Sequence, residues 1–394
     1  MNIDAHLIES LKRHKICIII PTYNNSKTLQ RVVDAVLQFG ATTIVVNDGA
    51  TDSTPAILQH YPQLVIVRHP KNLGKGMALR NGFKKAIELG FHYAITIDSD
   101  GQHFASDIPV FIEELEKNGD ALLIGSRNMT QEGVPKKSSF GNKFSNFWFW
   151  FETGHKLEDT QSGFRLYPLL LIPKKYFTNK FEFEIEVIVR TAWKRIPVKN
   201  IPIKVLYDPE ERVSHFRPFK DFTRISILNT VLVLITLLYI KPRDVFYQLK
   251  KKGLKAFFIE NVIKSNDTPI RKSCSIALGV FIGIAPFWGF QTVLALFFAT
   301  ILKLNRAIAF AFSNISIPPF IPFIIYASLL LGRWIVPMNK PLILDNSTTF
   351  DAIKTNLTQY LFGSFILASL MGLLFGVLSY FILTGMKTMR KQKI

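Results

Sequence analysis

Three apolar runs, Cys274–Leu302, Ala307–Leu331 and Leu361–Thr384, constrain the fold of this 394-residue chain more than any other feature. Each exceeds the ~20 residues that a helix needs to span a bilayer. Hydrocarbon offers no partner to a backbone amide, so such runs must be helical. Pro286 interrupts the first run, and Pro318, Pro319 and Pro322 interrupt the second. A proline inside a helix removes a hydrogen bond and clashes with the preceding turn. Each interrupted run is therefore either a kinked span or two half-length helices, as in a re-entrant or transport-like module. Ile225–Ile240 is a further apolar stretch, short for a span and suited to the interface.

Charge follows the same geography. Lys and Arg number 48 against 29 Asp and Glu, so the formal net charge is +19. Hydrophobic residues at 48% exclude disorder, and the basic balance argues for a polyanionic partner. Much of the positive charge flanks the apolar runs, at Lys241, Arg243, Lys250, Lys251, Lys252 and Lys255, and again at Lys387, Arg390, Lys391 and Lys393. An anionic membrane, not nucleic acid, is the expected partner. The basic tail suits the cytoplasmic side, and no signal peptide is read before Lys15. The expected place is the cytoplasmic membrane, multi-pass, with the N-terminal half in the cytoplasm. Positive-inside counting conflicts whether or not Ile225–Ile240 crosses, so a re-entrant segment or an extra crossing is required. Cys17 and Cys274 make neither a disulfide framework nor a zinc pattern. The oligomeric state stays open.

The N-terminal half alternates strand-like and helix-like stretches. Ile16–Ile20, Thr42–Val46, Leu64–Val67, Tyr93–Ile97 and Ala121–Ile124 read as buried strands. Helices are expected around Leu29–Val36, capped by Asn25 or Ser26 and ended by Gly40, over Gly76–Leu89, and over Asp107–Lys117 with Ser106 as cap. The fold class is α/β with a mainly parallel sheet, followed by an α-helical membrane domain. The expected boundaries are a domain at 1–222, a basic juxtamembrane linker at 223–272 and the membrane domain at 273–394.

Ligands of parallel sheets bind at the carboxyl ends of the strands. Four segments fall there: Pro21-Thr22-Tyr23-Asn24, Asn47-Asp48-Gly49-Ala50-Thr51-Asp52, Asn72-Leu73-Gly74-Lys75-Gly76, and Asp98-Ser99-Asp100-Gly101-Gln102. Two carboxylates one residue apart in a turn can approach one Mg²⁺ or Mn²⁺, and such a cation commonly bridges to phosphates. By itself an Asp-x-Asp reads first as a solvated turn. Asp48 can bond a ribose or a base, or simply form the turn at Gly49. Lys75 stands among glycines at a helix start, a phosphate neighbour, although neither a Walker A loop nor a dinucleotide fingerprint is present.

With Gly125-Ser126-Arg127 and Gln161-Ser162-Gly163-Phe164-Arg165, six short motifs occur in order over about Lys15 to Phe222. This region resembles the family 2 glycosyltransferases of GT-A fold, especially the dolichyl- or polyprenyl-phosphate sugar synthases. The resemblance implies inverting transfer of a hexose from a UDP- or GDP-linked sugar to a lipid carrier. It implies that Pro21, Thr22, Tyr23, Asn24, Asp48, Lys75 and Asp98 meet the nucleotide sugar. It implies further that Asp98, Asp100 and Gln102 hold Mg²⁺ or Mn²⁺. Arg127 is implied to contact the acceptor phosphate, with Lys136, Lys137 and Arg212 beside it. The family's Arg-x-x-Gly-x-Ser-Lys departs here to Arg212-Val213-Ser214-His215, which puts a role for His215 or Arg217 in doubt. Residues from Lys255 onward are similar to an uncharacterised bacterial membrane domain, from which no activity follows.

An ionised phosphate acceptor needs cations, whereas a lipid hydroxyl needs a general base, for which Asp159 is the candidate. Synthesis of a glycolipid on such a hydroxyl is one alternative. A lipid-linked-sugar transporter carrying a nucleotide-sugar-binding module is another. Phe144, Phe147, Trp148 and Phe151 share one helical face and read first as core, although Phe149 and Trp150 beside lysines suit a lipid interface. Glu182, Glu184 and Glu186 alternate with Phe181, Phe183 and Ile185, the pattern of a strand with a solvated acidic face.

Overall fold

The structure, a computed structural model, describes residues 5–128, 136–206, 217–244, 247, 265–287, 289–314, 320–336 and 350–391. The chain divides into two units, Met1–Val233 and Leu234–Ile394.

The first unit is built on a seven-stranded sheet: β1 Ile16–Thr22, β2 Thr43–Asn47, β3 Val65–Arg68, β4 Tyr93–Thr96, β5 Leu122–Ser126, β6 Arg165–Pro168 and β7 Val198–Pro202. Their order is β3-β2-β1-β4-β6-β5-β7. Every ladder is parallel except the two that β6 makes with β4 and β5. The helices are α1 Ala5–Arg13, α2 Ser26–Leu37, α3 Thr54–Gln59, α4 Lys75–Glu88, α5 Ile108–Asn118, α6 Lys136–Thr153, α7 Phe183–Trp193 and α8 Pro218–Ile235. Every residue of β1 is buried. Side chains of a strand alternate between faces, so Ile16, Ile18 and Ile20 join α2 and α5 in one core. Cys17 and Ile19 join α4 and α7 in the other. Each such buried side chain contributes about 1.5–3 kcal/mol.

Several expectations give way to tertiary contacts. Asn25 occupies the cap position of α2 without a side-chain cap bond, because its amide donates to the Ser99 hydroxyl at 2.8 Å. Ser106 is not the cap of α5. It lies in a 3₁₀ turn over Ala105–Asp107, and Asp107, at the cap position, accepts from the Lys204 amide instead. Glu182, Glu184 and Glu186 belong to no strand and to no solvated face. They are buried at the start of α7. Glu186 accepts from the Phe177 and Thr178 amides, the Thr178 hydroxyl and Arg190. The alternation of two is accidental, since tertiary partners replace water around the Glu184 and Glu186 carboxylates. The aromatic stripe of α6 is likewise not its core face. Asn142, Ser145, Phe149 and Glu152 face inward with Phe151, while Phe147 is 46% exposed. The polar residues turn inward because Asn142 bonds Asp159 and Ser145 bonds Thr160.

Ile225–Ile240 is not a short isolated stretch. It lies within a 26-residue helical segment, Phe219–Asp244, with mean hydropathy 1.8, long and apolar enough to cross a bilayer.

The second unit holds α9 Pro269–Ile284, α10 Gln291–Ile301, α11 Arg306–Ser313, α12 Ile321–Gly332 and α13 Phe350–Lys391. Pro286 falls between α9 and α10, and Pro322 in the first turn of α12. Pro318 and Pro319 lie outside the described residues. The interrupted runs are therefore half-length helices and not kinked spans, since 11 or 16 residues reach only ~16–24 Å at 1.5 Å each. Asn356–Met386, with mean hydropathy 2.3, is a second segment of spanning length and composition. Close backbone approach holds α12 to α13: a Cβ at Gly363 would land on the Ser328 carbonyl, and one at Gly332 on that of Gln359. Small residues at the contact permit this intimacy.

Candidate active site

A cleft of about 690 Å³ opens at the carboxyl ends of β1, β2 and β4. The chain winds from β1 outward to β3, then returns to place β4 on the opposite side of β1. That reversal leaves a crevice of the kind in which α/β sheets bind ligands. Pro21, Thr22 and Tyr23 reach it from β1, Asp48 from β2, Lys75 from the start of α4, and Asp98, Ser99 and Asp100 from β4.

Asp98 and Asp100 are held by their surroundings. The Thr28 hydroxyl donates to the Ser99 carbonyl at 2.6 Å, and the Gln102 amide to Asp100 Oδ1 at 3.0 Å. Asp98 lies over Gly163, where any Cβ would strike its carboxylate. Lys75 Nζ stands 2.9 Å from Asp98 and 3.0 Å from Glu184 Oε2. Burial alone would raise the Asp98 carboxyl, but Lys75 foremost, with His103 and Arg165, holds it below its ordinary range. Burial would lower the Lys75 ammonium, and Asp98 and Glu184 together raise it instead. His103 is pushed down to about 4, chiefly by burial, so it is neutral at pH 7.

Asp48 is buried and its oxygens are engaged. They accept from the Leu73 and Gly74 amides, each at 2.8 Å, and face His69 Nδ1 at 2.7 Å. The Asn81 amide lies 2.8 Å from His69 Nε2, an arrangement that assigns the ring proton to Nδ1 and makes it the donor to Asp48. Asp48 thus fixes the loop from which Lys75 emerges, while still facing the cleft. Asn24 Oδ1 accepts from the Thr51 amide and does not itself line the cleft.

A second cluster lies at the end of β5. Arg127 donates through Nε to Asp159 Oδ2 at 2.7 Å and through Nη2 to Oδ1 at 3.1 Å. The Asn142 amide and the backbone amides of Arg127, Gln161 and Ser162 also donate to Asp159. Burial raises this carboxyl, yet Arg127 and the Gln161 amide together outweigh it and the carboxyl sits below its ordinary range. Lys136 and Lys137 open α6, with side chains outside the described residues. Arg212 and His215 lie outside them as well. Arg217 is described, and it lines the cleft with Asp221, whose Oδ2 accepts from the Arg217 amide at 2.7 Å.

Sequence reasoning missed Glu184, Lys180 and Phe181. Glu184 was hidden by its period-two neighbours, although the spacing of Ile185, Ile188, Val189 and Ala192 marks the helix. Lys180 and Phe181 line the cleft from the loop before α7, which carries no local motif.

Asp98 and Asp100 offer carboxylate oxygens at a strand end beside a roomy cleft, which fits Mg²⁺ or Mn²⁺ completed by phosphate oxygens, whereas Gln102 is not among the residues that line the cleft. Among the described residues no three His, Cys, Asp or Glu side chains gather as a protein-only metal site.

A mainly parallel sheet with paired aspartates at its reversal defines the first unit as an α/β domain of the GT-A type. Residues 17–178 match the family model "Glycosyl transferase family 2", and residues 255–393 match "Uncharacterized protein conserved in bacteria". The chain thus joins a region that matches the family 2 glycosyl transferases to one that matches that uncharacterised bacterial family. It is 27% identical over 215 residues to a UDP-N-acetylglucosamine–dolichyl-phosphate N-acetylglucosaminyltransferase of Methanococcus voltae, covering 49% of this chain and 86% of the relative. It is 28% identical over 223 residues to a dolichyl-phosphate beta-glucosyltransferase of Saccharomyces cerevisiae, covering 48% of this chain and 66% of the relative. Glucosyl-3-phosphoglycerate synthase of Mycobacterium tuberculosis aligns with a TM-score of 0.45 and 18% identity, over 58% of this chain and 81% of that one.

Proposed function

We propose that this chain transfers a hexose from a nucleoside-diphosphate sugar to a polyprenyl phosphate at the cytoplasmic face of a membrane. The observation that carries the reading is the cleft at the sheet reversal, where Asp98, Asp100 and Lys75 converge. The names of the two dolichyl-phosphate relatives support the same substrate class. Asp98 and Asp100 would hold Mg²⁺ or Mn²⁺. A divalent cation there offsets the charge that builds on the departing nucleoside diphosphate.

The chain's own residues do the rest. Lys75 supplies a cation beside the diphosphate, and Asp48 keeps its loop in place. Arg127 offers a charge-assisted donor to an anionic acceptor, oriented by Asp159. The acceptor phosphate is ionised at neutral pH and attacks the anomeric carbon without surrendering a proton. Asp159 is a poor base for a hydroxyl acceptor, since it already accepts bonds from Arg127, Asn142 and backbone amides and its affinity for protons is lowered. That favours the phosphate over the lipid hydroxyl. The apolar segments Phe219–Asp244 and Asn356–Met386 support a membrane location.

The test is a radiolabelled transfer assay in membranes containing the full chain, with UDP-glucose, UDP-N-acetylglucosamine and GDP-mannose offered separately. A lipid product cleaved by mild acid is expected. A product stable to mild acid would replace the phosphate acceptor with a hydroxyl.

A further inference from the structure

Lys75 joins the two halves of the cleft's electrostatics. Its ammonium bridges Asp98 and Glu184, at 2.9 and 3.0 Å. Glu184 is itself fixed, because Arg165, fully buried, donates to the Glu184 carbonyl at 2.8 Å and approaches its carboxylate at 4.0 Å. A lysine has a flexible stem and a compact charge, so it can change partners without any movement of the backbone. The same Asp98 carboxylate is the one assigned to the cation. Two cations cannot share it at hydrogen-bond range without strong repulsion.

We infer that Lys75 is a resident placeholder for the divalent cation: it neutralises Asp98 in the empty site, with Glu184 as its fixed anchor, and moves to the incoming diphosphate when the cation takes Asp98. This rests on the donor and cation assignment given under the proposed function. Nucleoside diphosphate and cation then bind together, since each removes the obstacle to the other. The diphosphate draws Lys75 off Asp98, and the cation fills the vacated carboxylate. Glu184 is a positioning residue in this scheme. Its charge offsets Lys75 after Asp98 is surrendered, so it lowers the cost of the exchange.

The experiment measures Mn²⁺ binding to the full chain in detergent, by the loss of free-Mn²⁺ paramagnetic resonance, with and without UDP or GDP. In the wild type, Mn²⁺ should bind weakly alone and about tenfold or more tighter with the matching nucleoside diphosphate, as expected when a charge-assisted bond is exchanged. Lys75→Met should tighten nucleotide-free Mn²⁺ binding by about tenfold and shrink that synergy. Glu184→Gln should do the opposite and weaken it, since Lys75 then leans on Asp98 alone. A residue with a merely structural role would not give opposite signs. If Glu184→Gln fails to fold, Lys75→Met still decides the matter, because a variant that binds Mn²⁺ no tighter than wild type overturns the inference. Asp98→Ala is the control for the underlying reading. If Mn²⁺ binding survives in that variant, the cation assignment itself falls, an outcome distinct from an unchanged Lys75→Met.

Discussion

Asp159 and Arg127 bear most directly on which acceptor the site takes. If the acceptor is a lipid phosphate, Arg127→Ala should cost about 10- to 100-fold in kcat/KM toward it, from a charge-assisted bond of roughly 1.5–3 kcal/mol. Asp159→Asn should cost less, because it keeps the shape and only loosens the hold on Arg127. Acceptor kinetics on both variants check this, and the reverse order would favour a hydroxyl acceptor and a general base. The pair also carries a pH signature. The folded Asp159 carboxyl lies below its unfolded value of ~3.9. Its stabilisation is therefore complete above that value and is lost as pH falls through it toward the folded value. Thermal melting followed downward from about pH 5 should show the loss in the wild type and a shallower slope in Asp159→Asn. At the other cluster, Asp98→Ala or Asp100→Ala should remove most turnover, and EDTA should abolish wild-type transfer until Mg²⁺ or Mn²⁺ is restored. Full activity in EDTA would remove the divalent cation from the scheme.

Elements decide whether those residues meet. The antiparallel β6 brings Gly163 beneath Asp98, where Thr96 Oγ1 donates to the Gly163 carbonyl at 2.7 Å. Gly163→Ala should therefore displace Asp98 and cost about 10²-fold in turnover, the scale of a ~1 Å misplacement. Melting temperature and Mn²⁺ affinity, measured together, separate a displaced carboxylate from a protein that has simply lost its fold. The five strands read from apolar runs lie within two residues of their observed ends, because a buried parallel strand must be apolar on both faces. β6 and β7 were not legible. β6 places fully buried Arg165 in a strand, an identity that its bonds to Ser162, Thr160, Glu184 and the Tyr167 hydroxyl make tolerable. α7 was misread for a related reason: buried Glu184 and Glu186 look solvated until the chain supplies Lys75 to the one and Arg190 and the Thr178 amide to the other.

For the whole molecule, the proposed location is testable through α6. Lys143 is exposed on that helix. A Lys143→Cys variant should resist an impermeant maleimide in intact cells and react once the membrane is opened, since nucleotide sugars are cytoplasmic substrates. Labelling from outside would invert the proposed orientation. The amino-acid sequence alone determined the α/β order of the first unit, the carboxylates at the strand ends and the breaks at Pro286 and Pro322. Each of these follows from local physics: unbroken apolar runs in strands buried on both faces, the turn chemistry after a strand, and a ring that cannot donate a hydrogen bond. Only the tertiary structure decided that Asp159 is held by Arg127, that Glu184 faces Lys75, and that α6 turns Asn142 and Ser145 inward. Those outcomes depend on charges distant in the chain meeting where water is excluded. There an ion or an amide is stable only with a partner that no local pattern announces.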